Sequence, residues 1–187
     1  MRDLGLLIIR LTAGGLLAGH GSQKLFGWFG GYGVRGTGGW MESLGLRPGS
    51  AWATVAGASE FGGGLLTALG LLNPLGPIAM LGPMSIATGK VHWGKPIWVT
   101  EGGAELPVTN LAIGVGLALT GPGRYSLDRL LGIRVPRALT VLTAAGVAAG
   151  VAVALMAEPS PPPESQQAEE AGAELQAGQG GSSPDPL

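Results

Sequence analysis

Cysteine is absent from all 187 residues. That excludes a disulfide framework, a thiolate metal site, an iron–sulfur cluster and a CxxC redox motif in this chain. Any redox chemistry therefore needs a bound organic or metal cofactor, or a partner subunit. Charge is scarce as well: Asp, Glu, Lys and Arg make up 12% of the chain, about half the share of a typical soluble domain. The net charge is −1, so the basic excess that grips nucleic acid is missing, and no nucleic-acid partner is expected. With only two histidines, no metal centre is expected either. A bis-histidine haem would rest on those two ligands and nothing else.

Apolar residues dominate what remains, at 45% of the chain. Glycine is very abundant at 36 residues but has no period of three, which excludes collagen. Glycine suits membrane helices, where small residues let backbones approach closely. A spanning helix needs about 20 mostly apolar residues. Five segments fit: 4–21, 51–72, 74–93, 104–120 and 138–157, the last with no charged residue. The expected fold is thus an all-α integral membrane protein, a four-helix transmembrane bundle plus a fifth spanning helix. Its parts are residues 1–130 for the bundle, 131–157 for the extra helix, and 158–187 for a tail rich in Pro, Gln and Glu. The tail's composition cannot bury enough apolar surface to fold, so it is expected to be disordered. Arg10 interrupts the first apolar stretch, which argues against a cleaved signal peptide, because signal h-regions are uncharged.

Arg124, Arg129, Arg134 and Arg137 crowd the connection before the fifth segment. Basic short loops favour the cytoplasm, so this loop and the N-terminus are expected inside and the tail outside. Trp28, Trp40, Trp52, Trp93 and Trp98 all fall in or beside the two outer connections. They read either as an interfacial belt or as an aromatic lid over a pocket. Within the first of those loops, residues 39–46 (GWMESLGL) are expected to form a short interfacial helix. Pro77 and Pro83 are expected to kink the third span. The pairs Gly15–Gly19 and Gly146–Gly150 match GxxxG and are expected to be close-packing faces.

Charges inside a membrane are expensive and mark function by default. Arg10 and Glu60 fall within the first and second spans and are expected to pair. At the outer ends, His20, Lys24, Lys90, His92 and Glu105 converge in sequence order. The competing reading is that these are headgroup-level groups that snorkel to water. A carboxylate beside an imidazole suits a ligand that exchanges protons with electrons, such as a quinone or quinol. His20, His92 and Glu105 are therefore the candidate catalytic residues, with Arg10, Lys24, Glu60 and Trp93 as candidate cofactor contacts.

Four stretches carry a resemblance: LIIRLTAGGLLAGHGSQKLFGWFGG (7–31), SEFGGGLLTALGLL (59–72), VHW (91–93) and GGAELPVTNLAIGVGLALTGPGRYSLD (102–128). In this order, with RLxxGxxxxxHGxxK and a later GPGxYSLD, the chain resembles the DoxX family of bacterial and archaeal membrane proteins. The resemblance implies a four-helix membrane core in a prokaryotic plasma membrane. It also implies similarity to the DoxD-type subunit of thiosulfate:quinone oxidoreductase and, for some members, an association with membrane oxidoreductase assemblies that handle sulfur or oxidative stress; a soluble oxidoreductase subunit is a candidate partner. Carried over by position, it marks Arg10, His20, Lys24, Glu60, His92, Glu105 and Asn110. Three functions compete: a quinone-linked membrane redox component oxidising a sulfur or thiol donor, a non-catalytic scaffold recruiting a soluble redox enzyme, and a small-molecule transporter. The lack of an inverted repeat weighs against the transporter. Homo-oligomerisation is left open.

Overall fold

The computed structural model describes residues 1–159, so the expected tail lies almost wholly outside the described residues. Among these residues the chain forms seven α-helices and no strand. They are α1 (Arg2–Phe26), α2 (Gly33–Ser43), α3 (Gly49–Leu69), α4 (Leu75–Ile86), α5 (Glu105–Thr120), α6 (Leu127–Leu131) and α7 (Arg137–Met156). Five of them coincide with the apolar segments, and α2 contains most of the expected short helix. Two helices, α1 and α7, are long and apolar enough to cross a membrane by length and composition. The helix α5 is apolar but shorter. The segment expected to span as residues 74–93 is broken: α4 ends at Ile86 and a π turn, Ala87–Val91, follows. Pro83 lies inside α4, where it cannot donate to the carbonyl four residues back. Pro77 falls in the first turn, where no such bond is lost.

The interior combines many small residues and a few polar groups with a handful of large apolar side chains such as Leu17, Leu46, Met80 and Leu117. Along α1 and α3 the backbones touch. A Cβ at Gly14 would lie 2.6 Å from the Gly64 carbonyl oxygen and the Ala68 nitrogen, and a Cβ at Gly21 would overlap the Phe61 backbone. Gly14, Ala18 and Gly21 therefore form the packing face of α1. The GxxxG expectation needs correcting here. Gly15, Gly19, Gly146 and Gly150 have open space where a Cβ would go. A shift of one residue along a helix rotates a side chain by about 100°, which carries Gly15 off the face that Gly14 occupies.

Many large apolar side chains point outward. On α1 these include Ile8, Leu11 and Leu16, on α5 Leu106 and Leu119, and on α7 Val141, Leu142 and Val153, each more than half exposed. Soluble monomers rarely show apolar patches that extensive, whereas hydrocarbon solvates them without penalty. The helix α7 packs along α4: Ala154 is fully buried among Met41, Leu46, Ala53 and Ala56. Lys90 secures this junction by donating to the Leu44 carbonyl at 3.2 Å and to the Ala157 carbonyl at the end of α7.

Candidate functional site

The residues of the site come mainly from one face of α1. Because α1 continues to Phe26, Lys24 is inside the helix and one turn beyond His20, so the two share a face. Across the interface, Glu60 on α3 is 3% exposed and forms an ion pair with Lys24. The expected Arg10–Glu60 pair does not form. Gly21 packs at the level of Phe61 while Arg10 packs against Gly70, so Glu60 and Arg10 stand about 15 Å apart along the helix at ~1.5 Å per residue. Antiparallel packing puts Glu60 level with the C-terminal half of α1.

Arg10 has its own setting at the other end. Its Nη2 donates to the Tyr125 carbonyl, while its Nε and Nη1 have no hydrogen-bond partner among the described residues. Asp128 is the opposite charge that acts on it electrostatically. Asp128 itself accepts from the Leu72 and Asn73 amides at 2.7 and 2.8 Å, and its own amide donates to the Gly70 carbonyl at 3.0 Å. Gly70 is left-handed (φ 62°) and abuts the Arg10 guanidinium, so both its conformation and the space demand glycine. The SLD of the GPGxYSLD stretch thus works as a clamp on the α3–α4 turn, far from the Lys24–Glu60 pair.

A cavity of about 260 Å³ opens beside that pair. His20, Lys24 and Glu60 line it together with Trp40, Trp52, Met84 and Asn110, and its surface is otherwise almost wholly apolar. Gln23 Nε2 donates to the Phe29 carbonyl at 3.3 Å, which turns Gln23 Oε1 toward His20 Nδ1, 3.0 Å away. Oε1 only accepts, so His20 Nδ1 is the donor in this contact, and Nε2 is not engaged by it.

The other expected residues fall outside the cavity lining. His92 Nδ1 donates to the Gly102 carbonyl at 2.6 Å, and Glu105 accepts from the Val99 amide at 3.0 Å. Both therefore brace the loop between the π turn and α5. Trp93 is 82% exposed in that loop, because the π turn ends α4 and directs the chain away from the interior. Trp28 and Trp98 are also more than half exposed. Of the five tryptophans only Trp40 and Trp52 reach the cavity, from α2 and α3. Trp40 is 46% exposed and flanks the buried face of α2, which carries Thr37, Gly38 and Met41. Arg10 does not touch the cavity. The structure thus joins His20, Lys24 and Glu60 in one place and leaves His92, Glu105, Trp93 and Arg10 elsewhere.

Residues 5–93 match the DoxX family model. The match runs from α1 to just past the π turn, a little under half of the chain, and DoxX is a membrane family. It contains Arg10, His20, Lys24, Glu60 and His92, the residues marked by position, while Glu105, Asn110 and Asp128 lie beyond it. No curated protein and no solved structure matches the chain.

Proposed function

We propose that the protein is a multi-pass component of a prokaryotic plasma-membrane redox system, with α1, α3, α4 followed by its π turn, and α5 crossing as a four-helix bundle and α7 as a fifth span. In this reading the cavity holds the headgroup of a quinone or quinol, linked to oxidation of a sulfur or thiol donor by a soluble oxidoreductase partner. The observation that carries it is the Lys24–Glu60 pair, with the His20 ring, itself exposed, lining the same otherwise apolar cavity. A quinone takes up protons with its electrons, so its oxygens need donors and acceptors in a space that excludes water. The Lys24 ammonium donates to a carbonyl oxygen, and His20 Nε2 accepts from a quinol hydroxyl. Glu60 holds Lys24 in place and keeps that charge from being stranded.

The test is purification in mild detergent followed by extraction and mass spectrometry of bound quinones. Quinone retained by the wild-type protein and lost on Lys24→Met supports the reading. Retention unaffected by that change would place the quinone elsewhere. A second reading, a non-catalytic scaffold for a soluble redox enzyme, draws on His92 and on Glu105, the first residue of α5, which brace the exposed loop between the π turn and α5. It expects a co-purifying enzyme and no quinone.

A further inference from the structure

A second concavity, a groove of about 380 Å³, runs down the outside of the helices between α1 and α5. Ile8, Ile9 and Leu16 line it from α1, and Leu106, Asn110 and Ile113 line it from α5. It spans nine residues of α1, from Ile8 to Leu16, a rise of about 12 Å at ~1.5 Å per residue. Its walls are apolar and face outward, where the long aliphatic residues of this protein point: Ile8 is 57% and Leu16 65% exposed. Leu106 and Asn110 line both the groove and the inner cavity, so the two spaces adjoin at this turn of α5. Asn110 is the amide at that junction. One of its N–H groups is tied to the Leu106 carbonyl at 3.1 Å, which fixes the side chain against its own helix. Thr12 and Thr109 are the other polar residues of the groove, and the Thr109 hydroxyl donates to the Glu105 carbonyl at 2.7 Å.

From the adjacency of groove and cavity we infer that the α1–α5 groove is a side entrance from the bilayer, and that it holds the hydrocarbon tail of the ligand whose headgroup sits in the cavity. The inference rests on the quinone reading above and narrows it. The ligand is a membrane-soluble molecule with a compact polar head and a long apolar tail, rather than a water-soluble one. It enters sideways between α1 and α5, head first past Asn110, and its head stops at His20 and the Lys24–Glu60 pair. The tail stays in the groove, with its outer side on lipid.

The experiment compares a tailless benzoquinone with a decyl-tailed one, each titrated against the full chain in nanodiscs of one lipid composition. The variants are Leu16→Trp and Ile113→Trp, which fill the groove from opposite walls. Comparing protein variants at the same lipid concentration cancels the partitioning of the ligand into the bilayer. Each plug is expected to weaken the decyl-tailed ligand about tenfold, the effect of forcing a chain against a filled site, while leaving the tailless one unchanged. A diazirine at the tail end is expected to label α1 or α5 in the wild-type protein. If both ligands bind but the plugs leave the tailed one untouched, or weaken both equally, the side entrance is overturned and the headgroup reading stands. Labelling of the other helices alone, or a tail-independent affinity with native lipid retained in the groove, overturns it too. If the wild-type protein binds neither ligand, the headgroup reading falls and the entrance with it.

Discussion

Lys24 on α1 and Glu60 on α3 meet as an ion pair across the closest helix interface of the molecule, with side-chain exposures of 23% and 4%. The asymmetry matters for stability. Lys24 keeps a path toward solvent and Glu60 has none. Breaking a buried pair by removing one partner typically costs ~3–5 kcal/mol, because the other charge is stranded. Lys24→Met strands the buried carboxylate and is expected to fall in that range. Glu60→Gln leaves a lysine that can snorkel, and is expected to cost about half as much. The double variant should recover part of the Lys24→Met loss. Thermal midpoints in detergent check this. Arg10→Gln combined with Glu60→Gln should be additive, because those two side chains do not meet; a strong coupling would return Arg10 to the site.

The second prediction concerns the α1–α3 face. Gly21→Ala places a methyl group on the Phe61 backbone, which cannot move aside as a flexible side chain would. It is expected to lower stability by about 2 kcal/mol, within the range for overpacking. Gly19→Ala meets nothing and should be neutral or slightly stabilising, since alanine favours helix over glycine. Equal effects from the two changes would contradict the packing face assigned to α1.

These two cases show how far the sequence carries. The apolar segments place α3, α5 and α7 to within a few residues and α1 to within five, because mean hydropathy over about 20 residues is insensitive to small errors, whereas α4 stops seven residues before the expected end at 93. The partners of single charges are sensitive to them. Ending the first span at residue 21 puts Lys24 in a loop. The helix in fact runs to Phe26, and that extra turn brings Lys24 onto the face of His20. The GxxxG pattern failed for a similar reason: Gly14, Ala18 and Gly21 carry the contact, and a glycine-only pattern misses the alanine. The role of α7 was invisible because Lys90 reaches backbone carbonyls, which have no residue signature. For His92 and Glu105, closeness in sequence order did not become convergence, since each is consumed by a hydrogen bond within its own loop.

Asp128 gives a third prediction. Its carboxylate satisfies the Leu72 and Asn73 amides at the α3–α4 turn and faces Arg10 electrostatically. Asp128→Ala removes both acceptors together with the counter-charge. Hydrogen bonds to charged groups are worth about 1.5–3 kcal/mol each, so a loss of ~3 kcal/mol or more is expected. Asp128→Asn retains one acceptor oxygen and should fall between the two. A thermal midpoint unchanged by Asp128→Ala would refute the clamp.

Topology supplies the fourth. A cysteine-free chain allows single cysteines to be placed without background. Arg35→Cys lies at an exposed position of α2 and Arg134→Cys at one between α6 and α7. With an impermeant maleimide on intact cells, the cysteine at 35 should label and the one at 134 should label only after permeabilisation. The reverse pattern would invert the orientation drawn from the arginine cluster.

The last prediction locates the ligand by light. Trp40 and Trp52 line the cavity, while Trp28, Trp93 and Trp98 are exposed outside it. A quinone headgroup seated beside Lys24 and Glu60 touches the first two rings and none of the other three. Quenching falls steeply with separation, so most of the quench should come from Trp40 and Trp52. The variant Trp40→Phe with Trp52→Phe keeps an aromatic ring at each position and should lose most of the quench on adding a quinone. The variant Trp93→Phe with Trp98→Phe should retain it. Lys24→Met should shift the titration to higher quinone concentration without changing its end point, because it removes the donor to the carbonyl oxygen and leaves both rings in place. If the loss instead follows Trp93 and Trp98, the ligand sits on the loop braced by His92 and Glu105, and the cavity beside Glu60 is not its site.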